Sequence, residues 1–173
     1  MMGNQYKYPR RVISILAVNR YGVLARISNM FNRPSFNIDS ITTSETMDPG
    51  IANITITVHV DEQKLKQLLL QTRRLEDVRE VYELATASVQ RELLLIKVRA
   101  DKDNLPSLRD IAGVYKAKII DLSPDSLVME LTGKPEKVEG FLNMMRNYEV
   151  LEMCRTGITA LERGTDHIFG DEE

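Results

Sequence analysis

The residues in this chain best suited to chemistry are Asn19-Arg20-Tyr21-Gly22-Val23-Leu24. Asn and Gly suit a tight turn, because Gly22 can take φ > 0 and leaves the backbone bare. A bare backbone running into a helix N-terminus presents unpaired N–H groups, which favour a carboxylate or a phosphate. Asn19 and, further on, Asn37 each add amide donors and a carbonyl acceptor. A ligand with a carboxylate, an ammonium and a small apolar side chain matches these groups, and that describes an aliphatic amino acid. A helix N-terminus contributes about 0.3–1 kcal/mol to such binding. Burial of a valine-sized side chain adds roughly 1.5–3 kcal/mol. Association costs offset much of this, so the expected affinity is micromolar to millimolar. Taken alone, the stretch reads first as an ordinary strand-to-helix turn and only second as a small-molecule sensor.

Other chemistry is poorly supplied. The chain has no GxSxG elbow, no P-loop and no HExxH. Cys154 is the one cysteine, which excludes an internal disulfide framework and a Cys-based zinc finger and fits a reducing compartment. It is expected in the core. His59 and His167 are too far apart in sequence for metal-ligand spacing, and His59 is expected at the surface. Asp61-Glu62 and Glu76-Asp77 flank predicted helix ends and read as solvated caps. No catalytic residue and no metal site is predicted. With 23 basic and 25 acidic residues the formal charge is −2, unlike a general nucleic-acid binder. The segment from Met1 to Arg11 is polar, and no stretch approaches the roughly 20 apolar residues that span a bilayer. A soluble, cytoplasmic protein without a membrane partner is expected.

The elements that must position the turn follow from hydrophobic periodicity. Arg11 to Val18 is a nearly continuous apolar run, predicting a strand buried on both faces. Val23 to Arg33 has helical spacing and ends before Pro34. Asn37 to Ser44 predicts a second strand and Asp48-Pro49-Gly50 a turn. Ile51 to Val60 alternates, with Ile54, Ile56, Val58 and Val60 on one face and Asn53, Thr55, Thr57 and His59 on the other. Asp61 is placed to cap a helix carrying Leu65, Leu68, Leu69 and Thr72, and Val78 to Leu84 is a fourth strand. After a linker at 85–90 the pattern repeats. It runs strand 92–98, helix 104–115, strands 118–122 and 127–131, a helix opened by Gly133-Lys134-Pro135, and strand 150–156. The chain is therefore α+β, two tandem ferredoxin-like βαββαβ domains. Their bounds are 10–85 and 86–165, with a polar tail at 166–173. The polar face of each sheet is expected to be solvated or covered by a partner. This fold also serves RNA recognition, but Asn53-Ile54-Thr55-Ile56 and Arg91-Glu92-Leu93-Leu94 offer no exposed aromatic pair for stacking bases, so no nucleic-acid partner is expected.

Several stretches together closely resemble the small, regulatory subunit of acetohydroxyacid (acetolactate) synthase. In the first half these are Arg10-Arg11-Val12-Ile13-Ser14-Ile15, Asn19-x-x-Gly22-Val23-Leu24-x-Arg26, Phe31-Asn32-Arg33 and Phe36-Asn37-Ile38-Asp39-Ser40. In the second they are Gln90 to Val98 and Arg155-Thr156-Gly157-Ile158-Thr159-Ala160-Leu161-x-Arg163-Gly164. The resemblance covers nearly the whole chain. It implies an N-terminal ACT domain, a ferredoxin-like effector module, followed by a second ferredoxin-like domain. It implies a non-catalytic subunit of branched-chain amino acid biosynthesis that binds valine or a similar amino acid. Such a subunit activates a separate large catalytic subunit and transmits allosteric feedback inhibition to it. Thiamine diphosphate, FAD and Mg would belong to that catalytic subunit, leaving this chain without a cofactor. It further implies a homodimer paired through ACT domains, with Asn19, Gly22, Val23 and Leu24 from one protomer and Asn37 and Ile38 from the other around the effector. At Pro34-Ser35 the chain departs from the family's usual basic residue or glycine, which bears on the pocket's shape. The competing reading is a free-standing amino-acid-binding module that regulates some other enzyme.

Overall fold

The computed structural model describes residues 7–31 and 37–165. The predicted helix end at Pro34-Ser35, the Phe36 position and the tail from residue 166 lie outside the described residues. The chain forms two compact units, residues 90–157 and the rest.

The first unit runs β1 (Arg10–Val18), α1 (Val23–Phe31), β2 (Ile38–Glu45), β3 (Ile51–His59), α2 (Glu62–Arg73) and β4 (Val78–Glu83). The sheet order is β2-β3-β1-β4, with β1 antiparallel to both β3 and β4, and β2 antiparallel to β3. Period-2 side chains Ile13, Ile15 and Ala17 of β1 and Ile54, Ile56 and Val58 of β3 face the helices. They meet Val23, Ile27 and Phe31, spaced by four residues along α1, and Leu65 and Leu68 of α2. As the sequence predicts, Asp61 caps α2, its Oδ1 accepting from the Lys64 N–H at 2.8 Å. Asp61→Ala is expected to destabilise this unit by about 0.5–2 kcal/mol, measurable by urea unfolding.

The alternation in β3 locates the polar face correctly, yet Thr55 and Thr57 are buried, as is Ser14 beside them. This differs from the expected open face. Two of these three hydroxyls pair across strands: Ser14 Oγ donates to Asn53 Oδ1 at 3.1 Å, and the Ser40 and Thr57 hydroxyls lie 2.7 Å apart.

The second unit repeats the order with β5 (Val89–Arg99), α3 (Leu105–Tyr115), β6 (Lys118–Leu122), β7 (Ser126–Gly133), α4 (Pro135–Met145) and β8 (Val150–Arg155). Its strands lie β6-β7-β5-β8. β5 starts at Val89, so the predicted linker is shorter than 85–90. Leu94, Ile96 and Val98 pack with Leu127, Met129 and Leu131 beneath Leu108 and Ala112 of α3 and Val138, Phe141 and Met145 of α4. Tyr115 meets Phe141 edge-on, centroids 5.4 Å apart. A final short strand, β9 (Thr159–Leu161), has no counterpart in the expected pattern. Ile158 and Ala160 around it return to the first unit and bury Val12 and Leu84.

Candidate functional site

The turn after β1 is tethered on two sides. The Asn19 N–H donates to Gly50 O at 2.8 Å, and Asn19 Nδ2 donates to Pro49 O at 3.0 Å and to Glu45 Oε1 at 3.4 Å. These three bonds hold the turn against the β2–β3 hairpin. The Val18 N–H donates to Asp77 O at 2.8 Å, holding it against the start of β4. Gly22 sits at φ +83°, a conformation that other residues rarely adopt, and a Cβ there would touch nothing within 4 Å. α1 begins at the next residue. The Val23 N–H reaches Arg20 O at 3.4 Å, and the Arg26 N–H bonds Gly22 O at 3.0 Å. Among the described residues the N–H groups of Leu24 and Ala25 have no acceptor, and Asn19 Oδ1 has no donor. The turn thus offers two free donors at a helix N-terminus and a free carbonyl acceptor beside them.

Asp77 is the residue that sequence reasoning missed. Expected as a solvated cap, it is a buried carboxylate, its side chain 7% exposed. Arg20 donates to Oδ1 through Nε at 2.9 Å and also through Nη2, while Arg26 Nη2 donates to Oδ2. Burial acts to raise the pKa of this carboxyl. The hydrogen bonds and charges of Arg20 and then Arg26 outweigh it and hold the group below its ordinary 3.8. A carboxyl depressed on folding adds stability that is fully present above 3.8 and is lost as pH falls through the lower folded-state value. The expected result is that wild type loses its advantage in melting temperature over Asp77→Asn as pH drops below 3.8, as read by thermal unfolding at stepped pH.

The remaining predicted site residues divide. Leu24 is 40% exposed beside the free N–H groups, whereas the Val23 side chain is 3% exposed and belongs to the core. Ile38 is half-buried against that core and Asn37 precedes it, exposed. Ile38 and Arg11 both pair with Val58, while Val18, at the other end of β1, pairs with Ile51. Arg11 and Val18 are seven residues apart, about 23 Å at 3.3 Å per residue. Within one chain, Asn37 and Ile38 therefore lie at the end of the sheet opposite Asn19 to Leu24, and the fold does not bring the two groups together.

Two further expectations are corrected. Cys154 is exposed rather than in the core, because its register opposite Leu95 points it away from the helices. His59 is not a free surface residue: its Nδ1 lies 2.6 Å from Asp39 Oδ2, with the two side chains 16% and 17% exposed. Among the described residues no three His, Cys, Asp or Glu side chains gather as a metal site would require, and no helix is long and apolar enough to cross a membrane.

Comparison with known proteins places this geometry. Residues 13–80 match the family described as the AHAS small subunit-like ACT domain, and residues 91–164 match that of the small subunit of acetolactate synthase. A probable acetolactate synthase small subunit of Methanothermobacter thermautotrophicus is 40% identical over 89% of this chain and 93% of its own length. The acetolactate synthase small subunit of Bacillus subtilis is 39% identical over 90% of this chain and 92% of its own. The crystal structure of the Thermotoga maritima acetolactate synthase small subunit superposes with a TM-score of 0.83 at 35% identity, covering 91% of this chain and 99% of that one. The chain belongs to the family of acetolactate synthase small subunits, with an ACT domain as its first unit.

Proposed function

We propose that this chain is the regulatory subunit of acetolactate synthase. In this reading it binds valine, or another branched-chain amino acid, at the Asn19–Leu24 turn, and through that site it activates and feedback-regulates a separate catalytic subunit. The observation that carries the reading is the pair of free N–H groups at Leu24 and Ala25 beside the free Asn19 Oδ1, in a domain of the ACT family. The N–H groups suit a ligand carboxylate, and the Oδ1 suits its ammonium. Thiamine diphosphate, FAD and Mg serve the catalytic subunit, and this chain performs no turnover itself.

The site is completed by a second copy. β2 is an edge strand, and its last residue, Glu45, accepts from Asn19. Antiparallel pairing of β2 with the β2 of another copy sets Asn37 and Ile38 of one chain beside Glu45 and Asn19 of the other. This bridges the separation that a single chain cannot. Effector binding then biases the dimer, and coupling to the catalytic subunit of about 1–3 kcal/mol would suffice for regulation.

Calorimetric titration of the full chain with valine tests this. Binding in the micromolar to millimolar range is expected, and valine at about 100 times its Kd should stabilise the protein by about 2.7 kcal/mol. Asn19→Ala should remove the response. A folded, dimeric protein that takes up no valine at millimolar concentration would overturn the sensing role, and reconstitution with the catalytic subunit tests activation separately.

A further inference from the structure

Two arginines flank the candidate site, and both are tied to one acid of the fold. Arg20 lies in the turn and Arg26 on the first turns of α1, and both direct their guanidinium N–H groups to Asp77. On the opposite side of the turn stand two acids of the β2–β3 hairpin. Glu45 accepts from Asn19 Nδ2, and Asp48 Oδ1 accepts from the Gly50 N–H at 2.8 Å. Both are exposed, and among the described residues neither has a cationic partner. Asp77 offsets one of the two positive charges and holds both guanidiniums, whereas Glu45 and Asp48 are held only by neutral donors, so three carboxylates face two guanidiniums around the turn.

We infer that Asp77 sets the charge class of ligand that this site accepts. By drawing both guanidiniums toward itself it leaves the backbone N–H groups as the donors aimed at a carboxylate, in a field where Asp77, Glu45 and Asp48 outnumber the two arginines. That field favours a ligand carrying an ammonium beside its carboxylate and disfavours one that is only an anion. The site then distinguishes an amino acid from the 2-oxo acid with the same carbon skeleton, although their carboxylates and side chains are alike. Removing the Asp77 charge frees two guanidiniums beside the N–H groups and makes the turn a general anion site.

This rests on the effector reading above, and the two are separable by experiment. Valine and 3-methyl-2-oxobutanoate are titrated in turn into the full chain by calorimetry. Wild type is expected to prefer valine at least tenfold. Asp77→Asn should erode that preference at least tenfold, chiefly by tightening the oxo acid, and Asp77→Glu should restore it. The triple variant Asp77→Asn, Arg20→Gln, Arg26→Gln should also recover the preference, which a merely distorted turn would not do. Glu45→Gln, at an exposed position where folding is not at stake, should erode the preference about fivefold from the other side. Uptake of both ligands alike by wild type, or an unchanged preference in Asp77→Asn or Glu45→Gln, overturns this inference and leaves the effector site standing. Uptake of neither ligand by wild type overturns both.

Discussion

Replacing Gly22 by valine is expected to abolish the rise in melting temperature that valine gives the wild-type chain. Space is not the obstacle, since a Cβ at this position meets nothing within 4 Å. The backbone is: φ of +83° costs an L-residue roughly 1–2 kcal/mol, and a β-branched residue more. The turn escapes that strain only by moving Gly22 to negative φ. Doing so breaks the bond from the Arg26 N–H to Gly22 O and re-aims the Leu24 and Ala25 N–H groups. The variant's own melting temperature should fall by about 4–16 °C, the equivalent of 1–2 kcal/mol in a unit of this size. Gly22→Asn, whose side chain tolerates the left-handed region, should keep most of the response. A Gly22→Val protein that melts early yet is still stabilised fully by valine would show that the turn does not hold the head group.

Phe141→Ala should cost about 3–5 kcal/mol, the range for removing a buried aromatic ring. Phe141 is fully buried, and the collapse that would soften the loss is blocked on one side by Tyr115, which meets it edge-on at 66°. That neighbour packs closely over Gly140, where a Cβ would stand 3.2 Å from the Tyr115 hydroxyl. A unit of residues 90–157 holds about 3–10 kcal/mol in all, so the variant should lose a third or more of it. Urea unfolding checks this, with the second unit's transition moving to low denaturant. A loss below about 1 kcal/mol would mean that α3 and α4 close over the space.

The order of elements was legible because its signals are local. Alternation marks β3, four-residue spacing marks α1, Asp61 announces α2, and Pro135 opens α4. What was missed depends on contacts distant in sequence. Asp77 looks like one acid among several until the topology sets the start of β4 beside the α1 turn, where Arg20 and Arg26 converge on it. Val150-Leu151-Glu152-Met153-Cys154 does not alternate cleanly, so only the pairing with β5 decides which way Cys154 points. Thr55 and Thr57 show which face is polar but not that their hydroxyls are shielded from water. For the site, Asn19 and Gly22 are recognisable as a turn from their types alone. Asn37 was singled out by its amide, but Ile38 and the placing of both on a second protomer came from the family resemblance, and the register shows why periodicity within one chain could not join them to the turn.

The return of Ile158 and Ala160 to the first unit has a consequence for how the protein is made. Val12 and Leu84 leave the ribosome early, but the residues that cover them come only after the whole of 90–157 has been translated. At about 5–20 residues per second, that interval is roughly 4–15 s. During it the nascent first unit carries an uncovered apolar patch, a surface suited to a holdase or to misassembly between neighbouring chains. A fragment cut at Val89 would keep that patch for good, so an isolated ACT domain should be built with residues 158–165 grafted back.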